Sequence, residues 1–261
     1  MEERFSRLLD LLFPGAVSDG QKKLLEAICE RTKEVNEKIN ITSVKTDAGI
    51  YTKHIADSVS LSFLPEMREL PSPSVCDVGC GGGFPGLPVK AMLPNIRLAM
   101  LDSTEKKLRA VEETSKLLGF SGMTFYPARA EEIGRENGKR ESFDIVFSRA
   151  VAPLNVLSEL CLPLVKQGGY FLAMKSQKAH GELDAAAHAV KELGGSLVRV
   201  SDVSFSPSLI ENELLSEFSV DEKNAIEDFI SSKRYVIVIK KTRRTQPAYP
   251  RSYGAISKRP L

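Results

Sequence analysis

From Ser74 to Leu87 the chain reads S-V-C-D-V-G-C-G-G-G-F-P-G-L, and this stretch decides the fold. Its short, apolar, β-branched beginning predicts the end of a buried strand. Five glycines follow within eight residues, which is too many for a helix interior, because each costs backbone entropy there. Pro85 then suits the first turn of a helix. The stretch therefore predicts a strand, a glycine loop and a helix, and in an open α/β sheet such a loop lies where ligands bind.

Two classes of ligand bind to loops of this kind, and the residues around the loop distinguish them in part. Gly81 to Gly86 satisfies G-x-G-x-x-G, so the pattern leaves an NAD-binding module open. Asp77, however, stands just before the loop, where it would repel a pyrophosphate but not S-adenosylmethionine, a sulfonium with an ammonium group. Asp102 ends the next strand, where a carboxylate suits the ribose diol of either ligand. Asp77 therefore favours S-adenosylmethionine, and a tight turn without a ligand is the third interpretation.

The composition is that of an ordinary soluble globular chain of 261 residues, with 42% hydrophobic and 27% charged residues. The first residues lack the pattern of a signal peptide, and no apolar run reaches a transmembrane length. The four cysteines form no C-x-x-C pair, so neither a zinc site nor a disulfide framework is predicted. We expect a cytoplasmic protein that uses no metal and contacts no membrane.

Positive charge is concentrated near the end of the chain. The formal net charge is only +2, yet residues 233–261 hold nine Lys and Arg and no Asp or Glu. Such segregation is typical of a chain of which one face meets a polyanion. We therefore predict that Arg243, Arg244 and Arg251 contact nucleic acid phosphates.

Residues 1–72 are predicted to form a small helical cap. Apolar residues at helical spacing predict two helices up to residue 38, the second with a capping box at its start, and a third helix follows from about Tyr51 to Leu64. His54 and Ser58 lie one turn apart on the third helix, with Asp57 beside them. On spacing alone, these three side chains form either a working face or a solvated polar face. If they form a working face, contact with RNA, contact with the cofactor and support of the site all stay open.

From residue 73 onward, strands and helices alternate, which predicts a mainly parallel sheet with helices on both faces. The predicted strands are 74–78, 96–101, 122–126, 143–148, 169–174, 196–202 and 234–240, and the helices between them are about 84–93, 104–118, 128–135, 153–164 and 178–193. Seven strands suit the class I, S-adenosylmethionine-dependent methyltransferase variant of the Rossmann-like sheet, whose last strand runs antiparallel. We expect this domain at 73–241, with an insertion at 206–232 that carries a helix from Val220 to Ile230, and a basic tail at 242–261.

The ends of the later strands carry further candidates. Ala128-Arg129-Ala130-Glu131 follows the third strand, at a position that faces an adenine in such sheets, and a plain surface turn is the other interpretation. The segment Ser148-Arg149-Ala150 follows the fourth strand, where amino-directed methyltransferases have Asn/Asp-Pro-Pro-Tyr/Phe and cytosine C5 enzymes need a cysteine, and it has neither. Arg149 offers a planar cation for a phosphate, a purine edge or a cofactor carboxylate. Lys175 ends the fifth strand at the same rim.

Together these residues resemble the RsmG family, also called GidB, bacterial methyltransferases that modify N7 of a guanine in 16S (small-subunit) ribosomal RNA. The resemblance covers nearly the whole chain in the same order. It rests on Asn40-Ile41-Thr42-Ser43, His54 with Asp57-Ser58, Asp77 to Pro88, Leu101-Asp102-Ser103, Lys106-Lys107, Arg129-Ala130-Glu131, Ser148-Arg149-Ala150, Lys175, Tyr249-Pro250-Arg251, Gly254 and Lys258 to Leu261. The chain departs from the family at 206–232, which is longer than the usual last hairpin.

The resemblance implies roles for the candidate residues. Cofactor contacts are expected at Asp77, Gly79, Gly81, Phe84, Asp102, Ala130, Glu131 and Arg149. The target base and its phosphates are expected to be oriented by Asn40, His54, Arg129, Arg149 and Lys175. N7 of guanine has a lone pair and no proton, so in-line attack on the sulfonium methyl needs no general base, and positioning supplies the acceleration.

The expected partner is small-subunit ribosomal RNA or an assembling small subunit, bound by a monomer, and the expected product of the cofactor is S-adenosylhomocysteine. A methyltransferase of a small molecule or protein is the first alternative. An NAD-binding module that uses Gly81 to Gly86 is the second.

Overall fold

The computed structural model describes residues 3–177, 179–206 and 212–261. Seven strands form one sheet: β1 (Ser74–Val78), β2 (Arg97–Leu101), β3 (Met123–Tyr126), β4 (Phe143–Arg149), β5 (Val165–Ser176), β6 (Gly195–Asp202) and β7 (Arg234–Lys241). Their order is β3-β2-β1-β4-β5-β7-β6. Strands β1 to β5 pair in parallel, and β7 runs antiparallel to both β5 and β6. The predicted seven-stranded sheet with an antiparallel last strand is confirmed.

The helices lie close to their predicted positions. They are α1 (Glu3–Leu12), α2 (Asp19–Lys38), α3 (Asp47–Ile50), α4 (Asp57–Leu61), α5 (Gly86–Met92), α6 (Glu105–Leu117), α7 (Ala130–Ile133), α8 (Leu154–Cys161), α9 (Ala179–Glu192), α10 (Asn212–Ser216), α11 (Val220–Ser231) and α12 (Tyr253–Lys258). The predicted capping box is present at the start of α2, where Ser18 and Gln21 bond each other's backbone N–H groups. No helix in the described ranges is both long and apolar enough to cross a membrane.

The predicted third helix needs correction. Helical structure begins earlier, at α3, because the Thr46 hydroxyl accepts the N–H of Gly49 and caps this end. A π-helical turn, Tyr51–Ala56, then joins α3 to α4, which ends at Leu61, and a 3-10 turn follows at Pro65–Met67. A π-helical turn rotates the following residues relative to a regular helix and often marks a functional site. Here it carries His54.

Each face of the sheet has its own hydrophobic core. The N-terminal helices, α5 and α11 share one core with one face, through residues such as Phe5, Ile55 and Phe229. Helices α8, α9 and α12 pack on the other face around Val146 and Phe171. The cap and the sheet are therefore held together by continuous apolar packing.

The insertion packs against the cap. Its predicted extra helix is α11, which packs on α3 and the π-helical turn. Arg4 of α1 forms an ion pair with Glu222 at 2.9 Å, and the ring of Phe5 contacts Phe218 edge-on. Residues 207–211 of the predicted insertion lie outside the described residues.

The basic tail returns along the molecule to the carboxyl edge of the sheet. It leaves β7 at the opposite edge, where the Arg140 guanidinium donates to the carbonyls of Thr245, Gln246 and Tyr249. Ile256 of α12 is then fully buried against α8. The tail therefore reaches the edge at which the glycine loop lies.

Candidate active site

The glycine loop connects β1 to α5 in a conformation that suits glycine. Gly79 has φ +73° and Gly81 has φ +53°, values at which an L side chain is strained. A Cβ at Gly79 would also clash with the side chain of Val151. The N–H groups of Gly79 and Cys80 both donate to the Leu101 carbonyl, at 2.8 and 3.1 Å, which fixes the loop to the end of β2. The loop therefore exposes backbone where no side chain could fit.

Asp77 lies beneath this loop and is completely buried. Its Oδ2 accepts the N–H of Gly86 at 2.8 Å, whereas its Oδ1 has no hydrogen-bond partner among the described residues. Burial raises the pKa of this carboxyl to about 7. A buried carboxylate oxygen without a donor fits an ammonium group such as that of S-adenosylmethionine.

Asp102 joins the loop to the end of β2. Its Oδ2 accepts the N–H of Gly81 at 2.9 Å, and its Oδ1 accepts the N–H of Thr104 at 2.7 Å. Each carboxylate oxygen keeps a second lone pair, which a ribose hydroxyl can use. The Asp102 carboxylate therefore fixes the loop and can still accept hydrogen bonds from a ligand.

A cleft of about 380 Å³ opens between the loop and the ends of β2 and β3. Its lining includes Gly79, Gly81, Asp102, Arg129, Ala130, Glu131, Val151 and Tyr253. Five of the predicted cofactor contacts line this cleft: Gly79, Gly81, Asp102, Ala130 and Glu131. The other three, Asp77, Phe84 and Arg149, do not. Tyr253 of the tail adds a wall, and the Arg129 guanidinium lies 5.6 Å from its ring centroid.

A second cleft of about 700 Å³ lies beside the first and shares Val151 with it. It is lined by Lys53, His54, Asp57, Arg149, Lys175 and Glu182, and by the start of β7. Of the positioning residues predicted for the target base, His54, Arg149 and Lys175 therefore gather here, whereas Arg129 lines the first cleft and Asn40 lies elsewhere. The two clefts meet above Gly79.

Arg149 is held by three acceptors in this second cleft. Its Nη1 donates to the Lys53 carbonyl at 2.6 Å and to Asp57 Oδ2 at 3.0 Å, and its Nη2 lies 3.0 Å from His54 Nδ1. The other carboxylate oxygen of Asp57 lies 3.1 Å from Arg234 Nε. The guanidinium is therefore fixed in orientation before any ligand arrives.

His54 is neutral in this arrangement. Because a guanidinium only donates, Nδ1 of His54 must accept, and Nε2 then carries the proton that faces Thr42 Oγ1 at 2.6 Å. Burial, and second the charge of Arg149, lower the pKa of His54 to about 3. Its ring stacks on Phe84, with centroids 4.7 Å apart, so Phe84 supports the second cleft from below.

Lys175 also has partners within the molecule. Its ammonium donates to the Ala152 carbonyl at 2.7 Å and forms an ion pair with Glu182 at 2.7 Å. It therefore fixes the segment that follows β4, in addition to lining the cleft.

Several predicted residues lie elsewhere. Asn40 is exposed in a third cleft of about 720 Å³, which meets the first cleft at Lys107 and the second at Val44. Arg243 and Arg244 follow β7 at the edge opposite the glycine loop, and Arg243 donates to the Lys191 carbonyl. Arg251 forms a bidentate ion pair with Glu159. None of these three arginines lines the three clefts.

Sequence reasoning missed Arg234 and Glu182. An antiparallel β7 begins at the carboxyl edge, so its first residue, Arg234, could have been placed beside the end of the fifth strand. Glu182 carried no signal, because it lies in the first turn of a helix, where acidic residues are common.

Comparisons with known proteins agree with this geometry. The family model GidB, rRNA small subunit methyltransferase G, matches residues 21–208. Curated proteins named ribosomal RNA small subunit methyltransferase G are similar throughout: that of Listeria monocytogenes is 36% identical over 94% of this chain and 93% of its own length. That of Halalkalibacterium halodurans is 39% identical with the same coverage, and that of a Geobacillus strain is 40% identical over 90% of this chain and 89% of its own length.

Solved structures confirm the fold. The cyclase SpnF aligns with a TM-score of 0.53 at 13% identity, covering 88% of this chain and 98% of its own. A geranyl diphosphate methyltransferase in complex with S-adenosylmethionine aligns with a TM-score of 0.50 at 12% identity, covering 71% of this chain and 85% of its own. The fold, the family model and the curated relatives all agree with the resemblance expected from the motifs, and the chain belongs to the GidB family of small-subunit ribosomal RNA methyltransferases.

Proposed function

We propose that this chain transfers the methyl group of S-adenosylmethionine to N7 of a guanine in 16S ribosomal RNA. Membership of the GidB family supports the reaction and the RNA substrate, and it speaks against an NAD-binding module or a small-molecule methyltransferase. One observation carries the proposal: the cleft that fits the donor and the cleft lined by positioning cations meet at Val151, above Gly79. Donor and acceptor can therefore meet at a single point.

Different residues at the first cleft fit different parts of the donor. Asp102 suits the ribose hydroxyls, and the start of α7 at Ala130 suits the adenine. Asp77 lies beneath the loop and outside the lining of this cleft, and its unpartnered Oδ1 would attract the ammonium group. When bound, S-adenosylmethionine supplies an electrophilic methyl group. The chain's task is to hold this donor and to keep water away from it.

The residues of the second cleft fit a base that needs positioning and no proton transfer. N7 attacks with its lone pair, so a general base has nothing to remove. His54 is neutral and bonded at both ring nitrogens, which suits a positioning role and not an acid or base role. Arg149 presents a fixed planar cation to the purine edge.

We further propose that the protein acts in the cytoplasm as a monomer on an assembling small subunit, without a metal ion. We also propose a role for each part of the chain. The cap at 1–72 and the insertion line the base cleft, and the domain at 73–241 holds the donor. The tail at 242–261 closes the donor cleft. Among the described residues, no three His, Cys, Asp or Glu side chains are grouped as metal ligands.

Methyl transfer to small ribosomal subunits that lack native methylation tests the proposal. We expect label from S-adenosylmethionine at a single guanine, which N7-specific cleavage then maps. Arg149→Lys, which keeps the charge but loses the planar fork, should lower the rate about 100-fold. Binding of S-adenosylmethionine without any transfer to the particle would refute the assigned substrate.

A further inference from the structure

The second cleft is lined by cations, yet each of them has a carboxylate partner. The pairs are Lys53 with Asp228 at 2.8 Å, Arg149 with Asp57 at 3.0 Å, Lys175 with Glu182 at 2.7 Å, Lys233 with Asp202 at 3.7 Å and Arg234 with Asp57 at 3.1 Å. A surface that only attracted a polyanion would gain from leaving such cations unpaired. Attraction of RNA alone therefore does not explain why these cations are paired with carboxylates.

Apart from Asp57, which bonds Arg149, Glu182 is the carboxylate of this set that links a cleft cation to the start of a helix. Its Oε2 lies 2.7 Å from Lys175 Nζ and also accepts the N–H of Leu154, the first residue of α8, at 2.7 Å. Lys175 in turn donates to the Ala152 carbonyl. The side chains of Lys175 and Glu182 are only 9% and 25% exposed, so water screens this pair little.

The proposed methyl transfer offers a reason for pairing the cations of this cleft with carboxylates, and the inference rests on that proposed reaction. As the N7 lone pair forms a bond to the methyl carbon, the carbon–sulfur bond breaks and its electron pair stays on sulfur. No proton moves, and the positive charge passes from the sulfonium to the guanine. An unpaired ammonium beside the guanine would oppose this movement of charge.

We propose that Glu182 is a positioning residue that neutralises Lys175 in the base cleft, so that the guanine can become cationic as it accepts the methyl group. Its second bond, to the N–H of Leu154, aligns the segment 150–153 between the two clefts.

The variant Glu182→Gln separates charge from structure, because its amide oxygen can still accept the N–H of Leu154. We expect the single-turnover rate at saturating RNA and cofactor to fall about fivefold, as one charge is lost near the base. The Kd for RNA, measured without cofactor, should become about twofold tighter because the cleft gains positive charge. The cofactor Kd should stay the same. Any fall in the melting temperature should be small, because the bonds to the Leu154 N–H and from Lys175 to the Ala152 carbonyl are kept.

Two further variants complete the test. In a Lys175→Gln background, Glu182→Gln should cause no additional loss of rate, because there is no ammonium left to neutralise. Asp184→Asn on the same helix removes the same charge from an exposed position and should leave rate and RNA affinity unchanged.

An unchanged rate in Glu182→Gln would overturn the inference, as would weaker RNA binding together with a lower melting temperature, which indicates a structural role. An equal loss in the Lys175→Gln background would overturn the action through Lys175. Failure of the proposed function is distinguishable, because the wild-type protein itself would then transfer no label to RNA.

Discussion

At the scale of single residues, burial acts in opposite directions on two groups of the site. It raises the pKa of Asp77 and lowers that of His54, because in both cases it disfavours the charged form. Asp77 could be predicted from the sequence, since its place at a strand end before the glycine loop is local information. The neutral state of His54 could not, because it depends first on burial and second on the charge of Arg149, and only the tertiary fold supplies both.

Asp77 makes cofactor affinity depend on pH. A bound ammonium favours the ionised carboxylate, so binding releases a proton wherever free Asp77 is protonated, and affinity rises with pH through its pKa of about 7. We expect the S-adenosylmethionine Kd to tighten about eightfold from about pH 6 to about pH 7.5, measured by calorimetry. Asp77→Asn should bind more weakly and lose this pH dependence. The same dependence in both proteins would show that another group is responsible.

At the scale of elements, the sheet was predictable and the irregular parts were not. Strand and helix bounds follow from apolar periodicity, glycine and proline, which act over a few residues. The π-helical turn from Tyr51 to Ala56 has no such local signal, because packing against α11 and the Arg149 bond to the Lys53 carbonyl shape it. The course of the tail is likewise set by distant partners, Arg140 and Glu159.

The ion pair between Arg251 and Glu159 fixes the tail. Glu159 is completely buried, so Arg251→Ala leaves a carboxylate without its counter-charge and should lower the free energy of unfolding by about 3 kcal/mol. Denaturant unfolding measures this loss. The double variant Arg251→Met, Glu159→Gln should regain most of it.

Exposed Lys258 on α12 provides the control, since Lys258→Ala removes a charge from the same segment without a buried partner. An equal loss of stability in both single variants would contradict the role of the pair.

At the scale of the whole molecule, charge is arranged in two zones. The base cleft holds paired cations, whereas Lys45 and Lys107 of the third cleft have no carboxylate partner within the described ranges. Unpaired cations attract phosphates, and paired ones keep the reaction site close to neutral. Residue counts along the chain indicated a basic tail, but the fold uses much of that charge internally, through Lys241, Arg243 and Arg251.

Lys45 should therefore contribute to the salt dependence of RNA binding. Lys45→Ala is expected to reduce the slope of log Kd against log salt by about 0.7, the value for one phosphate contact on single-stranded RNA. Fluorescence anisotropy at several salt concentrations measures it. Lys191→Ala, an exposed lysine at the end of α9, should leave the slope unchanged. Equal slopes for wild type and Lys45→Ala would remove the third cleft from the RNA path.

The wall that Tyr253 adds to the donor cleft has a consequence for synthesis of the protein. The strand, loop and acidic residues of this cleft are made early, yet the cleft is complete only when residue 253 has left the ribosome and α12 has docked on α8. A chain that lacks this helix would have a donor cleft without the wall at Tyr253. We therefore expect the cleft to gain its full shape only when α12 docks on α8, which is a later event than the pairing of β1 with β2.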